Sequence, residues 1–220
     1  MLRKLAPSIL DADFTCLERE LNMIESGGAD LIHLDIMDGN FVPNISFGPR
    51  IVESIKSKTS LPLEVHLMIE KPENHIKSFI DAGGDIIIIH YETSKHLDEL
   101  IQNINNAGVK SGIALSPATP LSTIEYLTNK IDSLLIMTVN PGYGGQKFIP
   151  EMIDKIKKAR EILDHLKKSV SLEVDGGINL SNLSKIIDAG AETIVVGQLI
   201  FKSKNPEMTI KKIKNILNNF

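Results

Sequence analysis

The sequence predicts a (β/α)8 TIM barrel of the α/β class, with residues 1–220 forming a single barrel domain. Three observations carry this expectation. Eight short runs rich in Ile, Val and Leu recur along the chain, as strands buried on both faces of a parallel sheet require. Amphipathic stretches separate them, with apolar residues three and four apart. Glycines close several of those stretches just before the next run, where a left-handed C-cap belongs. Eight such units in 220 residues fit a compact barrel. A doubly wound open sheet is the competing fold. It usually has fewer strands, and its Gly-rich dinucleotide fingerprint is missing after the first run.

In chain order the expected strands are residues 4–10, 31–37, 63–69, 86–91, 111–115, 133–139, 171–175 and 193–196. Helical stripes are set by Leu17, Leu21 and Ile24, by Ile153, Ile156 and Ile162, and by Ile210, Ile213, Ile216 and Leu217. Lys211, Lys212 and Lys214 alternate with the last stripe and read as its wet face. Gly27–Gly28, Gly83–Gly84, Gly108 and Gly190 are the expected helix ends, and the phrases at 28–30, 83–85 and 190–192 look like one αβ loop reused. No linker or low-complexity stretch divides the chain.

Composition excludes several function classes. The net charge of −4, with no dense Lys/Arg block, gives no polyanion-binding surface, so no nucleic-acid partner is expected. No apolar run approaches the ~20 residues of a membrane span, and the N-terminus has no apolar signal core. The single cysteine, Cys16, allows no internal disulfide and suits a reducing, cytoplasmic setting. It is expected to be a plain buried thiol.

In a barrel of this kind the site forms at the C-terminal ends of the strands. Residues two apart on a strand share a face. On the second strand this puts His33, Asp35 and Met37 together. On the third it pairs His66 with Met68. Asp175 ends the seventh strand, Ser8 lies on the first, and Met137 on the sixth. Two imidazoles and two carboxylates therefore converge at one end. A lone strand His is more often a hydrogen-bonded structural residue, but burying four such groups at matching levels is costly without a purpose. Mixed nitrogen and oxygen donors suit one divalent metal ion, Zn, Fe, Mn or Co. Met37, Met68 and Met137 lie beside this set as core filler or as a water-excluding cap. Glu64 and Glu173 share its parity but lie deeper. His90 ends the fourth strand, where contact with solvent or substrate is one reading and a structural role the favoured one, and His75, His96 and His165 read as surface residues.

The turn from Asn140 through Gly142, Tyr143, Gly144 and Gly145 to Gln146, with Gly176–Gly177 and Gly197–Gln198, follows the last three strands. Backbone N–H groups in such turns bind phosphate without a cation, and this is the usual phosphate position in the fold. Glycine also simply permits tight turns, but the clustering favours phosphate. No Lys stands inward at a strand end, which argues against a Schiff-base aldolase.

The stretches at 5–10, 33–39, 41–44, 65–68, 137–142, 144–146 and 174–177 together resemble the ribulose-phosphate 3-epimerase family over essentially the whole chain. The resemblance implies a barrel of the ribulose-phosphate-binding type. It implies metal-dependent epimerisation of D-ribulose 5-phosphate to D-xylulose 5-phosphate in the pentose phosphate pathway. His33, Asp35, His66 and Asp175 would bind one divalent metal, and Asp35 and Asp175 would be the acid/base pair. Ser8 and His66 would touch the substrate, and Gly142 to Gly145, with Gly177, Gly197 and Gln198, would hold the phosphate. A homo-oligomer is expected. Three positions depart from the family pattern: Gln198 stands where Ser is usual, Ser116 where Asn is common, and Tyr143 where Phe is usual. Allulose-6-phosphate 3-epimerase, or another ketose-phosphate 3-epimerase, is the alternative. A non-catalytic phosphosugar-binding barrel would keep the Gly turns without needing Asp35 and Asp175 together. A related decarboxylase or phosphate-sugar synthase would place a Lys in strand two, where this chain has Ile36 and Met37.

Overall fold

The computed structural model describes residues 3–166 and 168–220. Its eight parallel strands are β1 (Lys4–Pro7), β2 (Ile32–Met37), β3 (Leu63–Met68), β4 (Ile86–His90), β5 (Lys110–Leu115), β6 (Ser133–Met137), β7 (Ser171–Asp175) and β8 (Thr193–Val196). They bond in the order β1-β8-β7-β6-β5-β4-β3-β2. A single parallel bridge between Ser8 and His33 spans the remaining gap between β1 and β2. Below it, Leu5 N–H donates to Asp30 Oδ2 at 2.7 Å, and Asp30 N–H donates to Leu5 O at 3.0 Å. The barrel is thus nearly closed, and the residues that join its ends are two of the expected site residues.

Every expected strand forms. The first stops short of its apolar pattern because Ser8 leaves the ladder and caps a 3₁₀ turn, Ile9–Asp11, its hydroxyl accepting Leu10 N–H. The helices are α1 (Leu17–Gly27), α2 (Pro49–Lys56), α3 (Ile76–Asp81), α4 (Leu97–Asn106), α5 (Met152–Asp164), α6 (Leu183–Asp188), α7 (Gln198–Phe201) and α8 (Pro206–Asn219). Gly28, Gly83, Gly108 and Gly190 all take positive φ. Gly28 shows why: at φ 85° it turns its N–H back onto Glu25 O and Ile24 O and ends α1.

Four expectations change. The connection from β5 to β6 carries a 3₁₀ turn, Leu121–Ile124, rather than an α-helix. On α5 the buried stripe is Met152, Ile156, Ala159 and Leu163, while Ile162 is exposed; four-residue spacing from Met152 and Ile156 turns Ile162 outward. Cys16 is only partly buried, because it precedes α1 rather than standing on its inward stripe, and its thiol lies beside Asp13 and Arg19. Lys214 is not on the wet face of α8. Its Nζ donates to Asp30 Oδ2 at 2.6 Å and helps hold the β1–β2 closure.

The core lies between the outward faces of the strands and the helices, and a second apolar layer fills the barrel. Gly112 on β5 marks how tightly that interior is packed. A Cβ there would lie 2.4 Å from Ser133 Oγ and 2.9 Å from Ile88 Cγ1. Gly112→Ala is therefore expected to cost ~1–3 kcal/mol through overpacking and to lower Tm by several degrees. A melting curve unchanged from the parent would show that this layer has slack. Among the described residues no helix is long and apolar enough to cross a membrane.

Candidate active site

The carboxyl ends of the strands open into a cleft of about 990 Å³. Strand alternation decides what faces it. On β2, Leu34 and Ile36 turn outward into the main core, so His33, Asp35 and Met37 turn inward. The β2–β3 register then sets Asp35 opposite His66 and Met37 opposite Met68, and the β6–β7 register sets Met137 opposite Asp175. The levels expected from sequence parity are the levels found.

One donor atom from each of His33, Asp35, His66 and Asp175 lies within 4.8 Å of all the others. His66 Nδ1 is 3.2 Å from His33 Nε2, 3.2 Å from Asp35 Oδ1 and 4.0 Å from Asp175 Oδ2. His33 Nε2 is 3.3 Å from Asp35 Oδ1. Both imidazoles are wholly buried, so a solute in the cleft meets the carboxylates first. Two nitrogens and two carboxylate oxygens converging on one small volume fit a divalent cation. The outer nitrogens are tied down as such ligands require: His33 Nδ1 lies 2.7 Å from Glu64 Oε1, and His66 Nε2 lies 2.9 Å from His90 Nε2.

Electrostatics separates the two aspartates. Burial would push Asp35 up, but the facing His33 and His66 imidazoles outweigh it and hold the carboxyl well below its ordinary range. Ser8 Oγ also donates to Asp35 Oδ2 at 2.5 Å. Asp175 has no such partner; burial, and then the Asp35 carboxylate, push it up to about 7. Burial opposes charge on His33, yet Asp35 and Glu64 raise it well above the ordinary imidazole value. His66 is pushed down to about 4, chiefly by burial. Beneath the site, Glu173 is raised well above the carboxylate range by burial and by Glu64.

The methionines line the cleft wall, with Met37 and Met68 packed on Val42 and Met137 beside Val139. Across the opening the three Gly turns meet. Gly142 and Gly145 take φ 127° and 76°, and Gly177 takes φ 65°. A Cβ on Gly177 would stand 2.3 Å from Phe148 N, so only glycine lets these two backbones approach. The Gln198 amide reaches over Gly145, with Nε2 2.7 Å from where a Cβ there would be. Tyr143 is largely exposed at the rim. His75, His96 and His165 are exposed, as expected.

The sequence reading gave His90 a structural role and Asp11 none. His90 is fully buried and touches His66; its parity with the inward Ile88 was the available signal. Asp11 projects its carboxylate to 2.8 Å from a Cβ position on Gly144 and 3.3 Å from one on Gly197. It sits in a 3₁₀ turn, where no periodicity gives direction.

Comparison with known proteins adds independent findings. Residues 4–201 match the Ribulose-phosphate 3 epimerase family. The chain is 47% identical to ribulose-phosphate 3-epimerase of Bacillus subtilis over 212 residues, covering 96% of this chain and 98% of that one. It is 45% identical to the protein of the same name from Synechocystis, covering 96% and 92%. Among solved structures, KGPDC from Streptococcus mutans superposes with a TM-score of 0.74 over 100% of this chain and 99% of its own, at 15% identity. That last likeness speaks to the fold alone.

Proposed function

We propose, from the premise that this chain belongs to the ribulose-phosphate 3-epimerase family, that it inverts carbon 3 of D-ribulose 5-phosphate to give D-xylulose 5-phosphate, as a step of the pentose phosphate pathway. The observation that carries the reading is the placement of Asp35 on β2 and Asp175 on β7 in one four-residue donor cluster, below a rim of Gly turns suited to phosphate.

The chemistry follows from the residues. Inverting a carbon beside a ketone needs a proton taken from one face and returned to the other. Asp35, kept ionised by the facing His33 and His66 imidazoles and oriented by Ser8, serves as base on one face. Asp175, coming from the far side of the cluster, serves the other. The electron pair left behind forms an enediolate, with charge on two adjacent oxygens. A divalent cation held by His33, Asp35, His66 and Asp175 would supply the positive charge that offsets it. Met37, Met68 and Met137 keep water from the carbon that carries the charge, and Ser8 touches the substrate; His66, given the same role by the resemblance, is wholly buried and acts from behind the carboxylates. The phosphate lies against Gly142, Tyr143, Gly144, Gly145, Gly177, Gly197 and Gln198. A cytoplasmic location belongs to this reading and rests on the lone Cys16. So does a homo-oligomer, which sedimentation would check.

The test is direct. Metal-loaded protein is incubated with ribulose 5-phosphate and, separately, with allulose 6-phosphate in heavy water, and deuterium uptake at carbon 3 is followed together with inversion. Faster turnover of the pentulose phosphate is expected. Preference for the hexulose would transfer the assignment to the allulose-phosphate reaction, where the longer Gln198 side chain over Gly145 is the feature to examine.

The phosphate end has its own test. Gly197 has φ −104°, so a side chain there meets no positive-φ penalty, and its Cβ would press only on Asp11 Oδ2 at 3.3 Å and Ser8 O at 3.4 Å. Gly197→Asp adds a carboxylate next to Asp11 and facing the phosphate. Two unit charges ~4 Å apart at an effective dielectric of ~20 repel by ~4 kcal/mol, well beyond the ~1.4 kcal/mol of a tenfold change. At least a tenfold rise in KM is expected, with weaker competition by inorganic phosphate. Unchanged kinetics would put the phosphate elsewhere.

A further inference from the structure

The two buried histidines of the cluster differ in what holds their outer nitrogen. His33 Nδ1 meets a carboxylate, Glu64 Oε1, directly. His66 Nε2 meets another imidazole, His90 Nε2, at 2.9 Å. That contact alone is ambiguous, because a neutral ring carries one N–H and one bare nitrogen. The carboxylates at the two ends of the pair bear on it. His90 Nδ1 lies 3.0 Å from Glu92 Oε2. The other Glu92 oxygen, Oε1, accepts from Ser116 N–H at 2.9 Å and from the Thr119 hydroxyl. Partial burial pushes Glu92 up, but the bonds from His90, Thr119 and Ser116 outweigh it and hold the carboxyl down at about 2.

An ionised carboxylate only accepts. A neutral His90 bonded to Glu92 carries its proton on Nδ1, which leaves Nε2 as an acceptor for His66 Nε2–H. Without a cation the Asp35 carboxylate, 3.2 Å from His66 Nδ1, competes for the same His66 proton. With a cation held by the four donors, Nδ1 would be needed as a lone pair and the single His66 proton would sit on Nε2. The anchor of this chain lies outside the site. Glu92 belongs to the 3₁₀ turn Tyr91–Thr93 after β4, and its partners belong to the connection after β5. Lys155 of α5 steadies that connection by donating to Ser116 O at 2.8 Å and Pro117 O at 3.2 Å. Ser116 contributes through its backbone, so the Glu92 contact does not depend on which side chain stands there.

We propose that Glu92 and His90 form a relay that locks His66 in the Nε2–H tautomer and so presents its Nδ1 to a divalent cation, which makes His90 a positioning residue. Both halves rest on the metal reading given above, since without a cation the Asp35 carboxylate competes for the His66 proton.

Both halves are measured. In Zn²⁺-loaded, ¹⁵N-histidine-labelled parent protein, NMR should show His66 protonated at Nε2 and bare at Nδ1. Titration with Co²⁺, followed by visible absorption, then compares three proteins. His90→Phe keeps a ring against Phe41, whose centroid is 4.8 Å from that of His90, but offers no acceptor. It should weaken Co²⁺ binding ~10–100-fold. His90→Gln, whose Oε1 can accept from His66 Nε2–H, should recover most of that loss. A parent His66 protonated at Nδ1 overturns the relay, as does a Phe variant that binds within twofold of the parent or a loss that Gln does not recover. A parent that binds neither Zn²⁺ nor Co²⁺ overturns the metal reading, and the relay with it.

Discussion

Asp35→Asn and Asp175→Asn are each expected to lower epimerisation by ~10²–10⁴-fold, and to fail in opposite ways. A complete turnover needs a proton removed on one face and delivered on the other. A protein with one working carboxylate can still exchange the proton on the face that carboxylate serves. In heavy water each variant should therefore label one epimer of the substrate without inverting it, and the two should label opposite epimers. The structure favours Asp175→Asn as the cleaner experiment. Asp35 accepts from Ser8 and contacts both imidazoles, so its amide would face donors and acceptors in conflict. Asp175 is held more loosely, its nearest imidazole nitrogen being 4.0 Å away. Measured metal content separates a lost proton path from a lost ligand. A variant that keeps its metal and epimerises near the parent rate would rule out the two-base mechanism for this protein.

Much of this site was legible because a strand repeats every two residues. His33, Asp35 and Met37 could be read as one face, and the register with His66 and Met68 fell where matching levels required. The limits are equally physical. Asp11 lies beyond the end of β1, in a turn whose direction depends on the Ser8 cap rather than on any period. His90 shares parity with Ile88, yet nothing local tells a buried structural imidazole from one that touches a ligand; that depends on β3 bringing His66 to it. Leu121, Ile124, Leu127 and Ile131 are spaced as a helix would space them, but three-residue steps also suit a 3₁₀ turn, and Pro120 begins one. The joining of β1 to β2 by Ser8 and His33 is a long-range pairing that no single segment encodes.

Removal of a bound divalent ion is expected to abolish inversion and to lower stability in the same step. The donor cluster explains both effects. Asp35 and Asp175 face one another in a largely buried setting, where two uncompensated carboxylates repel strongly. A cation between them offsets that repulsion, and it does so only in the folded chain, since the four donors come from β2, β3 and β7. Binding to the folded state alone stabilises by RT ln(1 + [L]/Kd), ~2.7 kcal/mol when the ion is at 100 times its Kd. For a chain of this size that corresponds to a Tm shift of several degrees. Elemental analysis of active protein should give one ion per chain, and treatment with a chelator should abolish turnover and lower Tm together. Titrating back Mn²⁺, Co²⁺, Fe²⁺ or Zn²⁺ should restore both, and the order of recovery identifies the ion the site prefers. His33→Ala should block the restoration, because it removes a donor and strands Glu64 Oε1 without its partner. Protein that is free of transition metal and fully active after chelation would refute the metal assignment. The cluster would then be a purely protein-borne arrangement, with Asp35 and the two imidazoles balancing charge among themselves.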